Sequence, residues 1–339
     1  MDTVIGRKVR GASHVRSNTV CQDSFEIIKQ PGYTVMAVAD GHGSSSCPYS
    51  NEGSDIAARL FCSRLEEYYQ NYTATKDGLK SKDGLKSLED FLRQEGSLTL
   101  AKQLERAWKN QVMYRHIVQK KREIPAGDDK QKVAAAIHHQ YGTTLLGLMV
   151  TEKFVFAFQL GDGDITYVDA EHRMPLIQAE KFLGVETYSL SGRDAWKKAI
   201  SFVSKRESHS DSPYMYMIST DGMANSYISQ EEFYKAAADY FTLFRGLPMG
   251  SDDEPKKADM GASADNENDL GNANESTPGN EEDNAALTFN KMETSIAQDT
   301  QKEEETGIDY LQQNLTGWLQ ETSEQGCGDD ITVVFYYHE

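Results

Sequence analysis

The sequence predicts a mixed fold of buried strands with helices packed beside them, and three observations predict it. Val35-Met36-Ala37-Val38-Ala39 is a continuous apolar run that stops at Asp40-Gly41-His42-Gly43. It reads as a buried strand that delivers charged residues to the mouth of a core. Thr143–Val150 and Phe154–Leu160, joined by the polar corner Thr151-Glu152-Lys153, read as an antiparallel hairpin of two more buried strands. Behind Asp40, residues Ala57, Phe61, Leu65, Tyr68 and Tyr72 recur at helical spacing, so a helix lays one face on that core.

The remaining elements follow in chain order. Val4–Val9 and Phe25–Ile28 are expected strands on either side of a polar loop that carries Cys21-Gln22-Asp23-Ser24. Residues 76–81 and 82–87 are the same hexapeptide, KDGLKS, written twice, and two Asp-Gly pairs in succession predict a surface loop. Ser87–Glu123 is helical in composition, with a break expected at Gly96. Beyond the hairpin, Gly161-Asp162-Gly163-Asp164 feeds a third strand, Ile165–Val168, and Tyr214–Ile218 runs into Ser219-Thr220-Asp221-Gly222. The tyrosines and methionines of that run are expected in the core rather than in a binding stripe. Ser229 and Glu232 have the spacing of a capping box for a helix through about Phe244. A helix over Ile308–Leu319 follows, and then Gly326-Cys327-Gly328-Asp329-Asp330 leads into a final strand, Ile331–Tyr337.

Charge is unevenly spread. Of the net −18, a net of −12 lies in residues 251–306, which hold 16 Asp plus Glu against 4 Lys. With few aromatics and no apolar period, this stretch cannot offset the entropy of ordering. It is expected to be a disordered acidic insertion within a single domain formed by 1–250 and 307–339. Such a charge balance argues against a nucleic-acid partner, which Lys and Arg would have to hold. No apolar run approaches bilayer length and the first residues form no signal peptide, so a cytoplasmic protein without membrane association is expected. Cys21, Cys47, Cys62 and Cys327 have neither zinc-site spacing nor a paired rhythm, and they read as free thiols.

Four apolar strands each present an acid at one end: Asp40, Asp162, Asp221, and Asp329 with Asp330. One such carboxylate is ordinarily a turn former. If the strands share a core, the acids converge, and carboxylates within about 5 Å repel strongly unless a cation sits among them. Oxygen ligands without His or Cys suit Mg²⁺ or Mn²⁺ and disfavour zinc. Gly41, lacking a side chain, lets its carbonyl approach such an ion. Two ions about 3.5 to 4 Å apart would share a water, lower its pKa and aim it at phosphorus, which is the chemistry of a phosphate-ester hydrolase.

CQDS, AVADGHGSS, YGTTLLGLMV, QLGDGDI, ISTDGMANS and GDDITVVF stand in that order along the chain. With them the sequence resembles the protein phosphatase 2C family of metal-dependent serine/threonine phosphatases, and its bacterial branch above all. The resemblance implies an α+β fold in four α-β-β-α layers, two antiparallel sheets flanked by helices. It implies two Mn²⁺ or Mg²⁺ ions in a cleft at one end, with a weaker third in some members. The substrates implied are proteins carrying phosphoserine or phosphothreonine, set opposite a cognate kinase.

Position by position, the resemblance has Asp40 bridging both ions and the Gly41 carbonyl binding one of them. Asp221 and Asp329 complete the other shell, Asp23 joins through metal-bound waters, and Asp162 with Asp221 matches the third site. His42 falls where the family has its general acid, a role that imidazole suits near neutral pH. Two positions depart from the pattern. Gln22 replaces a glutamate, and Asn18 stands where a phosphate-binding arginine is usual, so Arg16 is expected to take that role through a shifted loop. These departures motivate an alternative, a pseudophosphatase that binds phosphoproteins or kinases without turnover. His138 and His139, adjacent on a helix, point apart and are expected to face solvent.

Overall fold

A computed structural model of the chain describes residues 2–74, 82–178, 187–206, 212–246 and 306–339. The elements, in order, are β1 (Asp2–Val9), α1 (Ala12–Ser17), β2 (Ser24–Gln30), β3 (Tyr33–Ala39), α2 (Ser50–Thr73), α3 (Lys82–Glu95), α4 (Ala101–Tyr114) and α5 (Lys130–His139). They continue with β4 (Leu145–Thr151), β5 (Phe154–Leu160), β6 (Asp164–Val168), β7 (Arg173–Pro175), β8 (Ile200–Lys205), β9 (Tyr214–Ser219), α6 (Asp221–Ala224), α7 (Gln230–Phe244), α8 (Gly307–Gln325) and β10 (Ile331–His338). The strands form two five-stranded sheets, ordered β1-β10-β9-β6-β7 and β2-β3-β4-β5-β8. Every strand pairing among the described residues is antiparallel, which bears out the α+β expectation.

Strand periodicity explains the layers. On β3, Met36 and Val38 face the space between the sheets, where they meet Leu146, Leu148, Ile218, Val334 and Tyr336. The alternate residues Val35, Ala37 and Ala39 face outward into a second cluster built by α2 and α4, with Phe61, Leu65, Leu104 and Trp108. On the far side, Met215, Met217, Val333 and Phe335 pack under Phe241, Phe244, Leu311 and Leu315 of α7 and α8. Because helices cover the outer face of each sheet, the central strands are buried on both sides and read as unbroken apolar runs. Gly147 shows how close the layers lie: a Cβ there would sit 2.2 Å from the Phe61 ring.

Several expectations change in detail. The second KDGLKS copy is not a loop, since Lys82–Ser87 opens α3, while the first copy lies outside the described residues. Gly96 does not break the helical region; the chain passes through a π-helical turn, Gly96–Leu100, where Gly96 lies against Phe156 and Ser201. The polar loop after β1 contains α1, and the strand β8 was unsignalled because its exposed residues interrupt any apolar run. Ser229 caps α7 as expected, accepting from the Glu232 amide at 3.2 Å. The expected acidic insertion lies outside the described residues except for Thr306, whose side chain caps α8. No described helix is long and apolar enough to cross a membrane. All four cysteines are free.

Candidate active site

The acids converge because their strands end at the same edge of the two-sheet stack. β3 delivers Asp40, β5 runs into Asp162, β9 into Asp221, and Asp329 precedes β10. Asp40, Gly41, Asp162, Asp221 and Asp329 line one cavity of about 700 Å³ together with His42. The backbone of Asp40 is held from the neighbouring strand. Its N–H donates to Thr144 Oγ1 at 2.9 Å, and its carbonyl accepts from the Thr144 amide at 2.9 Å and from Thr143 Oγ1 at 2.8 Å. Gly41 is pinned from both sides: a Cβ there would lie 2.6 Å from the Gln22 carbonyl oxygen and 2.7 Å from that of Ser50.

Burial pushes the Asp40 carboxyl well above the usual carboxylate range, and the charges of Asp23, Asp221 and Asp329 push it further. Asp221 is raised chiefly by burial, with Asp162 and Asp329 adding to the effect while its contact with Asp40 opposes it. Asp329 is raised by burial and by Asp330. Asp23, behind the cavity wall, is pushed up to about 8 by burial, although Thr220 Oγ1 donates to it at 2.7 Å. Such a cluster is repulsive as it stands. Asp221 Oδ1 and Gln22 Oε1 are buried without a hydrogen-bond partner among the described residues. Oxygen donors that are crowded, buried and partnerless fit a hard divalent cation.

The other expected residues take distinct places. Burial holds the His42 imidazole below its ordinary range while the Asp162 charge favours its protonated form. Asp162 itself accepts from Thr187 Oγ1 at 2.7 Å. Arg16 is exposed on α1, its guanidinium beside Gly328 rather than on the cavity wall. Asp330 is a buried tie: it accepts from the Gly11 amide at 2.7 Å and the Gln22 amide at 2.6 Å, and His14 Nδ1 lies 2.9 Å away.

One pair needs correction. His138 and His139 do point apart, and His139 is exposed as expected, but His138 is half-buried. His139 lines the cavity, bonded to Ser46 Oγ at 3.0 Å, and His138 lies against Trp108 with its pKa lowered to about 4 by burial. Thr143, Thr144 and Thr220 also carry roles the sequence reading missed. Their only signal was position, directly before or directly after an apolar strand.

Solved structures of similar fold include a bacterial serine phosphatase bearing a point mutation, 12% identical with a TM-score of 0.50, covering 100% of this chain and 98% of that one. The serine/threonine phosphatase Stp1 from Staphylococcus aureus is 12% identical, with a TM-score of 0.47 over 100% of this chain and 96% of its own. The catalytic domain of the phosphatase PstP in complex with two manganese ions is 12% identical, with a TM-score of 0.46 over 99% of this chain and 97% of its own. At these identities the likeness concerns the fold. No curated protein matches the chain in sequence. The family description "Protein phosphatase 2C" matches residues 10–249, which include every acid of the site except Asp329. The chain therefore belongs to the protein phosphatase 2C family and is a protein serine/threonine phosphatase.

Proposed function

We propose that the chain hydrolyses phosphoserine and phosphothreonine in proteins with the help of divalent Mn²⁺ or Mg²⁺, and that its physiological counterpart is a serine/threonine kinase. The observation that carries the reading is Asp221: a half-buried carboxylate beside Asp40 whose buried Oδ1 has no hydrogen-bond partner among the described residues, sharing one cavity with two further acids, Asp162 and Asp329. Asp40, the Gly41 carbonyl, Asp221 and Asp329 are the groups that would hold two ions, with Asp23 supporting from behind and Asp162 available for a third. Bound there, the ions would activate a water for in-line attack on phosphorus and neutralise the phosphate oxygens.

The protein's own contribution is placement. Thr143 and Thr144 fix the Asp40 backbone so that its carboxylate has one direction to face. Gly41 removes the side chain that would force Gln22 and Ser50 apart. His42, opposite Asp162, is a proton donor at the cavity wall for the departing serine or threonine oxygen. A phosphate contact from Arg16 would require its side chain to swing from Gly328 toward Asp329. Residues 1–250 and 307–339 are read as one catalytic domain, with 251–306 inserted between the Asp221 and Asp329 segments. No described residue at the site favours the non-hydrolysing alternative.

The test is phosphate release from a phosphothreonine peptide with and without Mn²⁺, run beside Asp221→Asn. The expected result is metal-dependent turnover that collapses in the variant. Equal and negligible rates in both proteins overturn the reading.

A further inference from the structure

The stretch 187–198 joins two cavities. At one end Tyr188, Ser189 and Ser191 line the catalytic cavity. At the other, Trp196 lines a second cavity of about 360 Å³ with Lys102, Glu105, Arg106, Lys109 and Asn110. The link is held firmly to α4. Lys109 Nζ donates to the Gly192 carbonyl at 2.8 Å, the Trp196 amide donates to Glu105 Oε2 at 2.9 Å, and Ala195 between them is buried.

The second cavity is basic on a chain whose net charge is −18. Lys102 Nζ stands 4.1 Å from the centre of the Trp196 ring and Lys197 Nζ stands 5.4 Å from it. Lys198 Nζ lies 4.8 Å from the centre of Tyr188, a residue of the catalytic cavity. Two acids lie among these cations. Glu105 is buried and engaged with Lys109 and the Trp196 amide, and Asp194 pairs with Lys197 at 2.9 Å. Lys102, Arg106 and Arg193 are exposed and form no ion pair among the described residues. Lys102 and Arg106, four residues apart on α4, occupy one helix face, so they present two cations to the same space.

We propose that this second cavity is a subsite for acidic residues that flank the phosphorylated serine or threonine of the substrate. The enzyme then prefers phosphoproteins with Asp or Glu a few residues from the phosphate. The inference rests on the proposed phosphatase reading and deepens it by naming the substrate class. The occupant follows from charge: Lys102 and Arg106 line the cavity and form no ion pair among the described residues, and a guanidinium fork matches a carboxylate in two-point geometry. Continuity supplies the direction, since an extended peptide whose phosphate sits among the acids has the Ser191-to-Trp196 wall beside it.

The experiment uses the full chain and Lys102→Ala/Arg106→Ala, both exposed positions outside the metal-binding set. Two phosphothreonine peptides of equal length, one flanked by Asp and Glu and one by Lys and Arg, are compared by fluorescence anisotropy and by kcat/KM. The parent is expected to favour the acidic peptide by about tenfold, as two surface charge pairs allow. That preference disappears in the double variant, and it fades as salt rises from about 0.05 to about 0.5 M. Hydrolysis of p-nitrophenyl phosphate, which has no flanking residues, stays unchanged. Equal binding of the two peptides by the parent, or a preference that survives the double substitution, overturns the proposal. Failure to hydrolyse p-nitrophenyl phosphate with Mn²⁺ would overturn the phosphatase reading instead, and the anisotropy comparison would still decide the subsite.

Discussion

The two ends of β1, β9 and β10 hold charge in opposite ways. At one end, Asp2 lies 3.2 Å from Arg206 and 2.7 Å from His338. Arg206 also donates to the Tyr214 hydroxyl at 2.7 Å and the Thr151 carbonyl at 3.1 Å. Burial raises the Asp2 carboxyl, but hydrogen bonds from His338 and Tyr336 and the Arg206 charge outweigh it and hold the group low. At the other end, Asp40 and Asp221 face each other with no cationic side chain between them, and both are raised. Asp221 follows β9, while Asp40 comes to it from β3 of the other sheet. Where the fold needs to close, each charge is answered; where carboxylates are left facing one another, the site is arranged for something that is not a side chain.

Substitution of the carboxylates separates the two ends most sharply. Asp40→Asn is expected to lower metal-dependent turnover by about 10³-fold, because a neutral amide would hold a divalent ion beside Asp221 far less well than the carboxylate. Phosphate release from a phosphothreonine peptide measures it. At the closing end the expected cost is in stability rather than rate. Arg206→Ala removes the Arg206 bonds to the Tyr214 hydroxyl and the Thr151 carbonyl and leaves half-buried Asp2 with His338 alone, and it is expected to destabilise the fold by about 3 kcal/mol. Urea unfolding reads that loss, and turnover per folded molecule stays within about twofold of the parent.

Metal addition tests the contrast without mutation. Excess Mn²⁺ at about a hundred times Kd is expected to stabilise the protein by roughly 2.7 kcal/mol, read as a rise in melting temperature. The sign of its pH dependence follows from the raised carboxyls. Asp23, Asp40 and Asp221 bind protons more tightly folded than unfolded, so the metal-free protein loses stability as pH rises from the ordinary carboxylate range toward about 8, the Asp23 value. Metal binding displaces those protons, so the melting-temperature gain is larger at high pH than at low. A gain that shrinks with rising pH would contradict this account. Asp2 has the opposite sign: its lowered pKa stabilises the fold above the unfolded carboxylate pKa and is lost as pH falls below it.

The smallest expected effect is Asp23→Asn without metal. An amide can still accept from Thr220 and carries no buried charge, so the metal-free protein gains roughly 1 kcal/mol at neutral pH. Thermal melts in a chelator check it. The corresponding change at the closing end, Asp2→Asn, moves stability the other way.

The strands and the acids at their ends were readable because they depend on short-range patterns. A short apolar run such as Val35–Ala39 fits a strand buried on both faces once helices cover its sheet, and the glycine after Asp40 marks where the chain must turn. The π-helical turn at Gly96 was not readable, since it arises where α3 passes Phe156 and Ser201, residues far along the chain. β8 went unread for a similar reason: an edge strand with one buried residue has no pattern of its own, and β5 alone gives it a place. The place of His139 at the cavity was not readable, because helix geometry separates it from His138 without saying that the Ser46 loop and the cavity lie on its side.

The chain's local order thus set which residues are strand, which are acid and in what succession, because hydrophobic alternation and turn chemistry act over a few residues. Which acids meet, which are answered by Arg206 or left facing each other, and that a basic cavity stands behind Ser191 were settled by packing. The physical reason is range. Charge interactions and desolvation act through space, and the residues that share a site here come from positions 23, 40, 162, 221 and 329, brought to one edge by the stacking of two sheets.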